Sequence, residues 1–299
     1  MEKALFIYNP EAGMGTLKNK VSDVLTIFRK NNLEVTVFPT LAAGEASQIA
    51  GDRGREYSRI ICAGGDGTLH EIVHGLMSLP KEERPICGYI PTGTVNDFAN
   101  GIKLPRRVKN AAEVAAGDHF HPYDVGEMNG KYFSYVAAFG AFTSVAYETP
   151  QFTKNLLGKN AYILDGMTKL NTIKSVHVCV KTENDYFEDD CIFGMITNAD
   201  SVGGIRIYRR TKIELDDGVF DGIFIKKPKN PVELNLAMGF LLTGKKNTQI
   251  HVIHGGEIEI QTDEPVAYTL DGEAGGTHSL VQIHNHKQAI TFCHGIKKN

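Results

Sequence analysis

Residues 60 to 71 read Ile-Ile-Cys-Ala-Gly-Gly-Asp-Gly-Thr-Leu-His-Glu: an apolar run enters a glycine-rich turn and leaves it as a helix. Gly64, Gly65 and Gly67 surround Asp66. Lacking Cβ atoms, they allow positive φ, turn N–H groups toward an anion and let a polyphosphate come close. The helix that follows would aim its free N–H groups and positive dipole end at the same spot. Asp66 would repel a bare phosphate, so the loop calls for a divalent cation, Mg²⁺, between carboxylate and phosphate. A plain strand-to-helix turn needs one glycine, not three. The expectation is a nucleotide-phosphate site.

Three other clusters carry polar chemistry. Pro91-Thr-Gly-Thr-Val-Asn-Asp-Phe98 offers the hydroxyls of Thr92 and Thr94, a close approach at Gly93, and an amide and a carboxylate at Asn96 and Asp97. An N-cap would explain Thr94 or Asn96 but not the whole run. Leu270-Asp-Gly-Glu-Ala-Gly-Gly276 sets two carboxylates around a glycine, and Asp-Gly is also a common hairpin turn. Ile213-Glu-Leu-Asp-Asp-Gly-Val-Phe-Asp221 is an acidic loop that suits a hard cation or a surface turn equally.

The elements that must position these clusters divide in two. Ala4–Tyr8, Glu34–Phe38, Arg59–Ala63 and Ile86–Ile90 are short apolar runs, alternating with helical spacing over Leu17–Lys30, Glu45–Arg55 and Leu69–Leu79. That alternation predicts an α/β domain over residues 1–120 with a parallel, Rossmann-like sheet and ligands at the strands' carboxyl ends. Asn9-Pro-Glu-Ala-Gly-Met-Gly15 and Gly64–Thr68 both follow strands and face that crevice. From about Pro122 the pattern becomes short alternating strands ending in Gly, Asn or Asp. This predicts a mainly antiparallel β-sandwich over 121–288, joined by a hinge at 117–123. Helices are expected near Leu156–Thr172 and Val232–Thr243.

Composition bounds the rest. The 299 residues suffice for two domains with real cores, and the net charge of −3 argues against a nucleic-acid partner. Cys62, Cys87, Cys179, Cys191 and Cys293 sit mostly in apolar runs and read as reduced core residues of a cytoplasmic protein. No signal peptide and no transmembrane segment are expected.

In their order, these motifs resemble the diacylglycerol kinase catalytic family, which includes sphingosine and ceramide kinases, and the soluble bacterial lipid kinases within it. The resemblance runs from Asn9-Pro10 to Phe292. It implies a two-domain kinase that moves the γ-phosphate of ATP to a lipid hydroxyl, with the C-terminal segment 289–299 returning to the first domain. Asn9, Pro10, Glu11, Ala12, Gly13, Thr40, Gly64, Gly65, Asp66, Gly67, Thr68, Leu69, His70, Glu71 and Thr94 match positions that hold ATP. Asn96 lies in the same cluster, and Asp66 and Asp97 match polar residues around the phosphates and Mg²⁺. Asp271 matches the family's general base, with Glu273 beside it. Mutual repulsion should raise one of their pKa values. Glu214, Asp217 and the Val219 carbonyl match a second Mg²⁺ site, linked to the crevice by Asp124. The implied partner is a lipid at the membrane surface, diacylglycerol by default, and a homodimer through an exposed strand edge is compatible. Candidate walls for the lipid are Phe139, Phe142, Tyr147 and Phe152. Three positions depart from the family pattern: Ala12-Gly13-Met14 lacks a phosphate-facing lysine, Asp165 replaces a lysine, and Glu214 is longer than usual.

Rival patterns are present. His70-Glu-Ile-Val-His74 fits the zinc-hydrolase pattern His-Glu-x-x-His, but no third ligand stands at a recognised spacing. Gly239-Phe-Leu-Leu-Thr-Gly-Lys-Lys246 nearly matches a Walker A loop, yet Lys246 occupies the place of the Mg²⁺-holding hydroxyl. A soluble-metabolite kinase of the NAD-kinase type shares the Gly-Gly-Asp-Gly-Thr loop but not Pro91–Phe98. A non-catalytic nucleotide-binding regulator is at odds with the four acidic residues Asp66, Asp97, Asp271 and Glu273.

Overall fold

In the computed structural model, residues 1–15, 17–140, 174–199, 201–202, 205–206, 214–243 and 246–295 are described. Strand β1 (Glu2–Tyr8) buries Ala4 to Ile7 without interruption, as a strand covered on both faces must. It pairs in parallel with β2 (Leu33–Pro39) and β3 (Arg59–Gly64), and β3 with β4 (Ile86–Pro91). Alternate residues feed two cores. Leu5, Ile7, Ile60 and Cys62 pack with α2 (Glu45–Arg53) and α3 (Asp66–Met77). Ala4, Phe6, Ile61 and Ala63 pack with α1 (Val21–Lys30) and α5 (Val108–Ala116), while α4 (Asp97–Gly101) follows β4.

The strands after these are β5 (Phe120–Met128), β6 (Lys131–Phe133), β7 (Val136–Gly140), β8 (Val176–Lys181), β9 (Tyr186–Thr197), β10 (Ser201–Val202), β11 (Ile205–Arg206) and β12 (Phe220–Lys226). Helix α6 (Pro231–Thr243) then precedes β13 (Ile250–Gly255), β14 (Glu257–Leu270) and β15 (Glu273–Cys293). Pairing among them is antiparallel. Strand β9 meets β8 over Tyr186–Cys191 and β7 over Phe193–Thr197; β14 likewise meets β8 and then β7. The ring β7-β9-β8-β14 closes around a third core containing Phe139, Val178, Phe187 and Tyr268. Phe139, one expected lipid wall, belongs to that core. The other walls Phe142, Tyr147 and Phe152, the helix near Leu156–Thr172 and Asp165 lie outside the described residues.

Strand β15 joins the halves. It pairs with β14 at one end, with β5 from Ile283 to Cys293, and its Phe292 lies parallel to Cys87 of β4. The sheet therefore runs unbroken from β13 to β2. This corrects the expected hinge: from Phe120 onward the segment is a strand held by β15, because its N–H and C=O groups find partners there. Register shifts after Gln261 of β14 and His286 of β15 interrupt the alternation of these two long strands. The near-Walker glycine Gly239 lies inside helix α6, where no phosphate loop can form. All five cysteines are free, and four are buried. Among the described residues no helix is long and apolar enough to cross a membrane.

Arg59 ties this frame together. It is 1% exposed, and its guanidinium donates to both Glu2 oxygens (3.0 and 3.1 Å) and to the carbonyls of Ala115 (2.8 Å) and Gly117 (2.9 Å). Arg59→Ala removes the partner of the Glu2 carboxylate and of the Gly117 carbonyl and leaves the Ala115 carbonyl only the Cys293 thiol (3.3 Å), so stability should fall by about 3–5 kcal/mol. Urea unfolding tests this, and an unchanged midpoint would refute it.

Candidate active site

The glycine-rich motif is the end of β3 plus the first turn of α3, which begins at Asp66 rather than Leu69. Gly65 has φ −88°, whereas Gly13 (56°) and Gly15 (72°) in the loop after β1 and Gly44 (84°) before α2 are left-handed. The first motif's glycines thus serve proximity, not positive φ. A Cβ on Gly67 would stand 2.9 Å from Glu273 Oε1, and one on Gly93 would stand 2.5 Å from the Gly65 Cα. The loops after β3 and β4 touch main chain to main chain, and the Thr92 N–H donates to the Gly64 carbonyl (2.8 Å).

Asn96 stiffens the second loop. It is left-handed (φ 55°), accepts the Gly93 N–H (3.0 Å) and donates to the Gly93 carbonyl (2.7 Å). This exposes the N-terminus of α4, whose Asp97 and Phe98 N–H groups donate to Asp66 (3.2 and 3.4 Å). Burial pushes the Asp66 carboxyl up to about 6; those two N–H bonds oppose it, and the charges of Asp97 and Asp271 reinforce it.

A cleft of about 530 Å³ opens between these loops. Its lining takes Asn9, Glu11, Ala12, Gly13 and Thr40 from the loops after β1 and β2, and Gly65, Gly67, Thr68 and Glu71 from α3 and its approach. Thr94 and Glu273 complete the expected residues there. Leu41, Ala42 and Ala43 also line it, unannounced by any motif; Leu41 is 86% exposed. Pro10 stays outside the lining, and Leu69 turns into the core. Among the described residues the lining includes three glutamates and neither lysine nor arginine. Lys18, at the rim, pairs with Glu11 (2.6 Å).

Asp271 sits behind the cleft, 4% exposed and left-handed (φ 52°). Its carboxylate accepts the N–H groups of Ser134 (2.6 Å), Tyr135 (3.0 Å) and Val136 (3.1 Å), and meets His70 Nδ1 at 3.2 Å. The turn therefore presents Glu273 over Gly67 and clamps α3. The three main-chain donors had no signal in sequence, because any residue supplies an N–H.

The acidic loop is arranged otherwise. Asp124 accepts the N–H groups of Gly218 and Gln288 (2.7 Å each) and the Asn285 amide (3.3 Å), and burial raises its pKa. Asp217 accepts the Val219 N–H (2.9 Å), while Glu214 is exposed. Asp124 thus anchors the loop, but among the described residues no three His, Cys, Asp or Glu side chains converge as a metal site requires. The His-Glu-x-x-His motif is engaged elsewhere too. Glu71 accepts the Gly44 (2.8 Å) and Ala46 (3.1 Å) N–H groups at the start of α2, and His74 Nε2 meets the Tyr132 carbonyl (2.9 Å).

An α/β cleft edged by glycine-rich loops and closed by a carboxylate turn from a β domain is the architecture these elements build. Residues 3–128 match the family described as diacylglycerol kinase catalytic domain, and 136–290 match the YegS C-terminal NAD kinase beta sandwich-like domain. The chain is 34% identical to a diacylglycerol kinase of Bacillus subtilis over 97% of its own length and 96% of that protein's. It is 33% identical to a diacylglycerol kinase of Staphylococcus saprophyticus, covering 92% and 90%. A crystal structure of a diacylglycerol kinase from Bacillus anthracis str. Sterne superposes with TM-score 0.76 at 25% identity, covering 98% and 97%. The chain belongs to the diacylglycerol kinase family and is a kinase.

The raised Asp66 has a consequence for stability. Folded protein binds more protons than unfolded between the ordinary 3.8 and about 6, so ionising Asp66 costs stability as pH rises through that window. In the ligand-free protein, Asp66→Asn should raise stability at about pH 8 by on the order of 1–3 kcal/mol. The gain should shrink toward pH 4. Urea titrations at both pH values check this, and a gain that grows on acidification would contradict it.

Proposed function

We propose that this kinase transfers the γ-phosphate of ATP to the hydroxyl of diacylglycerol, giving phosphatidic acid. The observation that carries the reading is the Asp271 turn locked onto α3, with Glu273 against Gly67. It brings a carboxylate turn of the β half to the phosphate loop of the α/β half. The names of the relatives supply the substrate class. In this reading residues 1–120 hold the nucleotide, with the returning end of β15, and 121–288 receive the lipid at a membrane surface.

The donor set fits a magnesium nucleotide. ATP brings about four negative charges, and the cleft lining answers with carboxylates instead of cations. Asp66 and Asp97 would hold Mg²⁺, which when bound neutralises phosphate charge and orients the transferred group. The chain's own contribution is positional. Main-chain N–H groups at the start of α3 would face the phosphates, those of Asp97 and Phe98 at the start of α4 hold the Asp66 carboxylate, Asn96 keeps that loop in shape, and the lipid hydroxyl must lose its proton to a base at the Asp271 turn. The Glu214, Asp217, Val219 and Asp124 group serves in this account as a support of that turn through β5 and β15, whether or not it takes up a second Mg²⁺.

Transfer of labelled phosphate from ATP to diacylglycerol, phosphatidylglycerol, sphingosine or NAD, in mixed micelles with Mg²⁺, tests the proposal. Label should enter diacylglycerol, and Asp271→Asn should lower the rate by about 100-fold or more. Label on NAD alone, or on no acceptor, would overturn it.

A further inference from the structure

The cleft has two chemically different ends. Strands β4, β3, β1 and β2 lie side by side in that order and all parallel, so the loops after them line up along one edge. Gly93 and Thr94 after β4, with Glu273 over Gly67 after β3, form one end. Thr40, Leu41, Ala42 and Ala43 after β2 form the other. Strands β4 and β2 stand three strand spacings apart, about 14 Å. A triphosphate that presents its last phosphorus to the Asp271–Glu273 turn must therefore extend toward β2, and its base comes to rest there.

The loop at that end has a fixed shape. The Thr40 N–H donates to the Tyr8 carbonyl (2.8 Å) and the Leu41 N–H to Glu45 (2.5 Å). Gly44, left-handed at φ 84°, donates its N–H to Glu71 (2.8 Å), whose other oxygen takes the Ala46 N–H (3.1 Å). Between these anchors Leu41 stands out from the surface. At 86% it is the most exposed large apolar side chain among the described residues, and a flat apolar group laid on it would remove that surface from water. Leu41, Ala42 and Ala43 carry no side-chain donor or acceptor. The polar side chains of the surrounding loops are engaged within the protein: Glu71 by its two N–H groups, Glu11 by Lys18 (2.6 Å), and the Thr40 hydroxyl by the Tyr8 carbonyl (3.4 Å).

Resting on the lipid-kinase reading, we propose that the purine base of the phosphoryl donor lies against Leu41, Ala42 and Ala43. Apolar contact holds it there without side-chain hydrogen bonds to its edge, so the enzyme accepts GTP as well as ATP. Every base offers an apolar face, whereas strong discrimination requires buried polar groups that the wrong base leaves unpaired. An acyl chain is the other apolar group the reaction brings. It arrives with the acceptor hydroxyl at the Asp271–Glu273 turn, and Leu41 stands at the opposite end of the cleft.

Competition binding with Mg²⁺ present tests the assignment, using ATP, GTP and inorganic tripolyphosphate on the unaltered enzyme, Leu41→Ala and Leu41→Met. Transfer of label from ATP and GTP to diacylglycerol is followed on the same proteins. GTP should match ATP within about 30-fold in both affinity and kcat/KM. Leu41→Ala should weaken ATP and GTP alike by about 5–30-fold and change tripolyphosphate, which has no base, by less than about twofold. Leu41→Met, which keeps the apolar surface, should stay within about threefold of the unaltered enzyme. GTP weaker than ATP by more than about 100-fold would overturn the proposal, as would an ATP affinity untouched by Leu41→Ala. Equal losses of ATP and tripolyphosphate would assign Leu41 to the phosphates, and a raised KM for diacylglycerol with ATP affinity kept would assign it to the lipid; either refutes the base site. The expected binding pattern without transfer to any lipid would keep the base site and remove only the lipid-kinase reading. No binding of either nucleotide would remove both.

Discussion

Three main-chain N–H groups, from Ser134, Tyr135 and Val136, converge on Asp271 because the chain there leaves one strand partner before reaching the next. Strand β6 pairs with β5, and β7 with β9 and β14, so the link between them must find acceptors outside the sheet. A buried carboxylate satisfies all three at once, and charge-assisted bonds of this kind are stronger than neutral ones. The bonds hold Asp271 in the left-handed region, which Asp tolerates better than most residues. They also set the tip between the two longest strands, β14 and β15. From that tip Asp271 reaches α3 and Glu273 reaches the nucleotide cleft. Remove the carboxylate and the turn, the helix and the cleft lose their common reference.

The second consequence is electrostatic. Asp66 is buried at the N-terminus of α4, near Asp97 and Asp271, and three glutamates line the cleft in front of it. A ligand-free site of this kind is held against its own repulsion by the frame around it. Helix N-termini contribute partial positive charge, but among the described residues no lysine or arginine lines the cleft; Lys18 is matched to Glu11 at the rim. Such a site favours a ligand that arrives with its own cation.

Much of this was legible in the residues. The apolar runs and helical spacing gave β1 to β4 and the helices between them, because strands buried on both faces are read without tertiary knowledge. The cleft residues of the four loops were legible because glycine, threonine and carboxylate clusters are rare in plain turns. Other features were not. Gly64, Gly65 and Gly67 looked like sites of positive φ, yet their function is to let two loops and Glu273 close in, a property of neighbours distant in sequence. The hinge at 117–123 was a misreading of a strand whose partner lies more than 160 residues away, Phe120 against Cys293. Leu69 belongs to a motif but faces the core, since a helix start has an inner as well as an outer side. His70 matched an ATP-holding position and a zinc-like motif, and its bond to Asp271, 201 residues along the chain, had no signal in sequence.

The central claim is that an acidic cleft at two helix N-termini holds nucleotide phosphates through a divalent cation instead of basic side chains. Equilibrium binding of labelled ATP, measured with Mg²⁺ and again with excess chelator, tests it most directly. The account predicts saturable binding with Mg²⁺ that weakens by about 100-fold or more, roughly 2.7 kcal/mol, when the cation is removed. Affinity that survives the chelator unchanged, or no binding in either condition, would contradict it.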